Sequence, residues 1–251
     1  MRHPVFLASI LIVTAPLSAC GYSVFDAAED AQGNDNGLAN GKAITTQMAA
    51  TGSFSKVNTV GPDDVNFVTG DSFSIKAEGD AEAIKLLRYT VKDRTIIIGR
   101  SKKGWWSSDG GSVTVTITAP LLTEAALAGS GNFKADTMSG DALMLAIAGS
   151  GDATISNVSG QKLDGKIAGS GSATLFGTIG DADFAVLGSG NINAAKLIAA
   201  TANVSIAGSG DVRVNASKTV DANIAGSGDV TVTGGAKCSK SVVGSGKVNC
   251  G

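Results

Sequence analysis

The tripeptide Gly-Ser-Gly recurs seven times between Leu127 and Cys250, beginning at Gly129, Gly149, Gly169, Gly188, Gly208, Gly226 and Gly244. Successive copies lie 20, 20, 19, 20, 18 and 18 residues apart. A period of this size, with one fixed glycine corner per copy, is the signature of a solenoid, in which each coil buries its apolar side only by stacking on its neighbours.

The flanking residues divide each coil into an inside and an outside. Two positions before the tripeptide stand Leu127, Ile147, Ile167, Val186, Ile206, Ile224 and Val242. Four positions after its first glycine come Phe133, Ala153, Ala173, Ile192, Val212, Val230 and Val248, and two further on Ala135, Ile155, Leu175, Ala194, Val214, Val232 and Cys250. Between these apolar columns sit Lys134, Thr154, Thr174, Asn193, Arg213, Thr231 and Asn249. Alternation of period two is that of a strand with one face buried, and recurrence of each column predicts side chains stacked about 4.8 Å apart. The chain therefore reads as an all-β protein built on a parallel β-helix.

Glycine on both sides of serine fits a corner that needs positive φ or a close approach of neighbouring coils. The serines then form a column able to hydrogen-bond from coil to coil. Directly after the corner come Asn132, Asp152, Ser172, Asn191, Asp211, Asp229 and Lys247. A pure aspartate ladder would repel itself by roughly 1 kcal/mol per neighbouring pair. Neutral residues and the final lysine interrupt it, and turn chemistry accounts for these residue types.

Upstream, residues 54–60, 65–68, 73–77, 95–98 and 113–117 read as strands separated by Gly-Pro, Thr-Gly-Asp and Asp-Gly-Gly turns. Asp80 to Tyr89 is helix-like, with Ala83, Leu86 and Leu87 able to share a face. No long linker precedes Leu127. Residues 43–126 are therefore expected to form a strand-rich N-terminal part that closes one end of the coils of 127–251, the two making one domain, 43–251.

The first 19 residues carry Arg2 and His3, then an apolar run from Val5 to Val13, the order of a secretory signal. The run is shorter than the roughly 20 residues of a membrane span. Leu17-Ser18-Ala19-Cys20 resembles the bacterial lipobox, which implies lipidation of Cys20 as the membrane attachment. Gly21 rather than Asp after the cysteine implies, by the same resemblance, sorting to the outer membrane. Residues 20–42 then read as the lipidated cysteine and a flexible tether rich in Ala, Asp, Asn and Gly. Cys238 and Cys250 remain as a pair flanking the last Gly-Ser-Gly, and in an oxidising compartment a disulfide is expected there.

Function classes narrow from what is missing. His3 is the only histidine and leaves with the signal, so neither a Ser-His nor a Cys-His nucleophile can form. Loss of Arg2 leaves 19 basic and 22 acidic side chains, a balance that does not suggest nucleic acid. Asp152, Asp211 and Asp229 are the acids a polysaccharide-cleaving enzyme would use, but Asp211 and Asp229 would be ladder neighbours without a cleft. The repeat differs from the calcium motif G-G-x-G-x-D-x-U-x in spacing and period, so no metal or other cofactor is expected. The most suggestive surface element runs from Arg100 to Gly111. It holds both tryptophans, Trp105 and Trp106, beside Arg100, Lys102 and Lys103. Adjacent aromatics with cations can anchor a protein, a glycan or lipid headgroups, unless the indoles fold back over the N-terminal strands.

Taken together, the lipobox, Val113-Thr-Val-Thr-Ile-Thr-Ala-Pro120 and the repeated Ala-Gly-Ser-Gly-Asp/Asn resemble the head GIN domain family, described as auto-transporter adhesins, over roughly Ile44 to Cys250. The resemblance implies a right-handed, single-stranded β-helix on bacterial envelopes and offers no catalytic residues. The expected function is a non-enzymatic, lipid-anchored envelope protein that binds a surface glycan or protein. The alternatives are a scaffolding lipoprotein and, more remotely, a polysaccharide-modifying enzyme.

Overall fold

The computed structural model describes residues 38, 40–101 and 111–251. Cys20, Lys102, Lys103, Trp105 and Trp106 lie outside the described residues. The fold is a β-solenoid of about six turns. Its body consists of parallel strands β9 (Glu124–Gly129), β10 (Phe133–Ala135), β11 (Met138–Gly149), β12 (Ala153–Gly169), β13 (Ser172–Gly188), β14 (Asn191–Gly208), β15 (Val212–Gly226), β16 (Val230–Thr233), β17 (Lys237–Gly244) and β18 (Val248–Cys250).

The register follows the repeat. Gly129 pairs with Gly149, then come Gly169, Gly188, Gly208, Gly226 and Gly244 in one column. The three apolar columns point inward and are buried except in the last coil, where Val242 and Cys250 are exposed. They belong to one continuous core running from Ile44 to Val248. Unequal coil lengths are absorbed away from the glycine corner, by register shifts after Ile155, Thr174 and Ala194. Beyond each shift the glycines realign, because the corner tolerates no displacement.

That intolerance is steric. The first glycine of every copy has φ between 124° and 142°, and a Cβ on it would run into the carbonyl oxygen of the glycine one coil below. The third glycine is buried in most copies and meets the same obstacle, as at Gly210 against the carbonyl of Gly190. Among the described residues the serines between them make no hydroxyl hydrogen bonds from coil to coil, unlike the column the sequence suggested. All seven are exposed, and it is their backbone N–H groups that donate to the coil below, as from Ser209 to the Gly188 carbonyl at 2.9 Å.

The solenoid does not start at Leu127. Strands β3 (Lys56–Gly61) and β4 (Asp64–Thr69) pair in parallel with β9 and β10, so Gly61 stacks in register on Gly129 and Val65 on Phe133. Strands β7 (Thr95–Arg100) and β8 (Val113–Ala119) stack in parallel beyond β3 and β4. The chain thus places residues 56–69 between two coils that come later in sequence. The outer end then changes to antiparallel pairing: β5 (Ser74–Gly79) on β8, and β6 (Leu87–Lys92) on β7. Two-residue strands β1 (Lys42–Ala43) and β2 (Ala49–Ala50) finish those edges, leaving little edge to pair with another chain.

The expected helix is shorter than Asp80 to Tyr89. Helix α1 covers Ala81–Leu86, capped by the Asp80 carboxylate, which accepts from the N–H groups of Glu82 and Ala83. Leu87 and Tyr89 belong instead to β6 and are buried in the core, where strand pairing with β7 outweighs local helix propensity. The β6–β7 turn is made by Asp93 and Arg94, both at positive φ without a glycine.

At the other end, Cys238 and Cys250 are joined by a disulfide, with Cα atoms 6.5 Å apart. Cys238 continues the inward column of Val220, and Cys250 that of Val232, so the bridge closes the lumen of the last coil. Lys240 stands in register with the buried Ala222. A charge at an inward position of the terminal strand discourages a further strand from stacking.

Candidate functional site

The aromatic and basic segment occupies a specific place in this architecture. Thr95 to Gly99 stack on Lys56 to Val60, and Thr114 stacks on Asp64. The corner between β3 and β4 is the short Gly61-Pro62-Asp63-Asp64. In the coil above, the same corner runs from Arg100 to Val113, so residues 101–112 are an insertion where the other coils turn in three residues or so. Trp105, Trp106, Lys102 and Lys103 fall in sequence between Arg100 and Val113, the two residues that flank this corner, and themselves lie outside the described residues.

Both bases of the insertion are pinned to the scaffold. The Arg100 guanidinium donates from Nε to Asp63 Oδ2 at 2.8 Å and from Nη2 to Asp63 Oδ1 at 2.6 Å. Both side chains are about 95% buried. A third bond, from Arg100 Nη2 to the Gly111 carbonyl at 3.0 Å, holds the exit of the segment. The hydrogen bonds to Asp63 hold the guanidinium above the usual arginine pKa despite its burial. At the entrance, the Ser101 N–H donates to Leu86 at the end of α1. Gly111 lies so close to the Asp80 side chain that a Cβ would collide with it, and the Asp80 N–H donates to Ser112. The collar is therefore rigid and its polar groups are satisfied within the protein.

The sequence identified this segment by composition but not its collar. Arg100 read as one of three surface cations, whereas its charge is spent on Asp63. The hidden signal was Gly61-Pro62-Asp63-Asp64, a degenerate copy of the corner in which Gly61 and Asp64 keep the spacing of Gly129 and Asn132.

The candidate acids are structural partners. Asp64, Asn132, Asp152, Asn191, Asp211 and Asp229 each accept, through a side-chain oxygen, the backbone N–H of the equivalent residue one coil on. These bonds measure 2.8 to 3.1 Å. Asp or Asn is needed because the oxygen must reach one strand spacing. Ser172 is too short, and Asn191 N–H donates to the Gly171 carbonyl instead. Asp211 and Asp229 are consecutive rungs of this ladder and do not face each other across a cleft. Among the described residues no group of three or more His, Cys, Asp or Glu side chains is arranged to hold a metal ion.

The broad outward face carries a second polar network. Lys162 Nζ lies 2.8 Å from Asp183, which also accepts from Asn203 Nδ2 at 2.6 Å. Partial burial alone would raise the Asp183 pKa, but the Lys162 and Asn203 hydrogen bonds outweigh it and hold the carboxyl below its ordinary value. The same bond to Asp183 raises Lys162.

Comparison with known proteins agrees with this architecture. The profile of the family described as "Putative auto-transporter adhesin, head GIN domain" matches residues 53–236. No curated protein matches. A solved structure from Bacteroides fragilis, described as a "putative adhesin", is 23% identical, with a TM-score of 0.70 over 82% of this chain and 99% of that one. A "putative adhesin" from Parabacteroides merdae is 21% identical, with a TM-score of 0.64 over 81% and 94%. A Parabacteroides distasonis structure described as a "Putative lipid binding protein" is 24% identical, with a TM-score of 0.62 over 84% and 100%. At these identities the likeness is one of fold.

Proposed function

We propose, for a chain that belongs to the head GIN domain family, that it is a lipid-anchored binding protein of the bacterial envelope, held by Cys20 and contacting its partner through the corner insertion. The observation that carries the reading is the collar. The Gly-Ser-Gly coils turn in about three residues at this corner, whereas the stretch between Arg100 and Val113 is far longer and holds both tryptophans of the chain. A buried, bidentate ion pair and two backbone bonds support its bases. Large aromatics on a segment whose two ends are fixed can bind with a small ordering cost. Lys102 and Lys103 would add attraction for an anionic glycan, protein or lipid surface. The Leu17-Ser18-Ala19-Cys20 sequence supports the anchor, with an outer-membrane location and Cys20 acylation as its consequences. The polar ladders serve the scaffold, which favours binding over catalysis.

Cells producing the wild type, Cys20→Ser, and Trp105→Ala with Trp106→Ala test both halves. Cys20→Ser should leave the membrane fraction. The double tryptophan variant should stay anchored and lose surface binding. Retention of Cys20→Ser in the membrane would refute the anchor, and wild-type binding by the folded tryptophan variant would refute the site.

A further inference from the structure

A groove at the outer end of the domain is not used by anything described so far. It lies between the chain around β1 and helix α1, with a volume of about 460 Å³, within the range of small-molecule sites. Ala43, Ile44, Ala81 and Ile84 supply apolar surface, and Lys85 and Arg88 stand among the lining residues. Ile44 and Ile84 are buried in the core and fix the two walls from beneath, while Ala43 and Ala81 present the exposed apolar atoms.

The two cations differ in what they have left to give. Arg88 Nη1 donates to the carbonyls of Lys85 and Leu87, which orients the guanidinium at the end of α1. Among the described residues its Nε and Nη2 have no partner. Lys85 contacts Glu82, but both are more than 60% exposed, and such a pair holds its members weakly. An apolar floor with an oriented guanidinium and an adaptable ammonium matches a ligand that has an alkyl segment and an anionic head.

We infer that this groove binds an anionic amphiphile, its alkyl segment over the exposed Ala43 and Ala81 and its carboxylate or phosphate head on Arg88 and Lys85. The described lining residues all lie outside the tryptophan segment in sequence, and the inference goes beyond the proposed function. It sits at the end where the chain enters the fold, four residues after Leu38 at the start of β1.

The test uses the chain from Gly21 onward, which keeps every described residue. Titration with dodecanoate, kept below its micelle concentration, reads the groove directly by calorimetry. Thr46→Trp, at an exposed lining residue, should fill the groove, and Lys85→Glu should reverse one cation. Each should weaken dodecanoate binding by about tenfold or more while leaving the melting temperature within a degree or so of the wild type. Vesicles of phosphatidylcholine with and without phosphatidylglycerol distinguish the source of the ligand. Binding to the anionic vesicles that dodecanoate displaces identifies a bilayer lipid, and dodecanoate binding without vesicle binding identifies a free amphiphile. Absence of dodecanoate binding by the wild type overturns the inference, as does undiminished binding by both variants. The Trp105→Ala, Trp106→Ala chain should still bind dodecanoate, so failure at one site is read separately from failure at the other.

Discussion

Arg100 and Asp63, 37 residues apart, form a two-pronged ion pair buried between neighbouring coils. Arg100 occupies the register of the corner glycine Gly61, and Asp63 that of the third corner residue. The pair ties the two coils together at the mouth of the insertion. Removing one partner strands a buried charge. Arg100→Met should cost about 3–5 kcal/mol, and Arg100→Met with Asp63→Leu should recover much of that loss. Chemical denaturation of the two single variants and the double variant gives the coupling directly.

The corner column leads to a contrast between neighbouring residues. Ser209→Ala removes an exposed hydroxyl and should be nearly neutral, within about 0.5 kcal/mol. Gly208→Ala or Gly210→Ala places a Cβ against the carbonyl of the coil below and should cost more than about 2 kcal/mol. Melting temperatures of the three variants rank the positions. Equal effects at Ser209 and Gly210 would contradict the steric account.

The ladder distinguishes acceptor from charge. Asp152 accepts the Ser172 N–H at 2.8 Å. Asp152→Asn keeps the oxygen and should leave stability unchanged, whereas Asp152→Ala should cost about 1 kcal/mol. Unfolding curves of both decide whether the carboxylate serves the ladder.

Most of this fold was legible because it is periodic. One glance at the spacing of Gly129, Gly149 and Gly169 predicts the coil, and the Ile147, Ile167 column predicts its inside. The first coils were illegible because chain order and spatial order part company there: residues 70–119 separate Gly61 from the coil on which it stacks, and Pro62-Asp63 disguise the corner. The turn at Asp93 and Arg94 lacks the glycine that would announce positive φ, so Asp80 to Tyr89 reads as helix in the sequence although Leu87 to Tyr89 open β6. The tryptophans were visible by composition alone. Arg100 as their support was not, since only the register shows that it faces Asp63.

The network of Lys162 and Asp183 sets a pH dependence. The depressed Asp183 pKa means its contribution is present above the ordinary aspartate range and lost as pH falls through the folded-state value. The raised Lys162 pKa means its contribution is present below the ordinary lysine range and lost as pH rises through the folded-state value. The pair therefore stabilises around neutrality. Lys162 is half exposed, so the contribution should be under about 1 kcal/mol. Lys162→Met should lower stability slightly at pH 7, and the difference from the wild type should vanish in strong acid.

Reduction of Cys238–Cys250 opens a loop between residues 12 apart and should destabilise by about 3 kcal/mol. Since the bridge closes only the last coil, hydrogen exchange should rise first at Val242 and Val248 and least at Ile155 and Leu175.

The most direct test of the account is the binding of the chain from Gly21 to isolated envelope fractions, peptidoglycan and a panel of glycans, with the Trp105→Ala, Trp106→Ala variant alongside. The account predicts selective binding by the wild type and its loss, by about 2 kcal/mol or more, in a variant with an unchanged melting temperature. Equal binding by both chains, or none by a folded wild type, would contradict it.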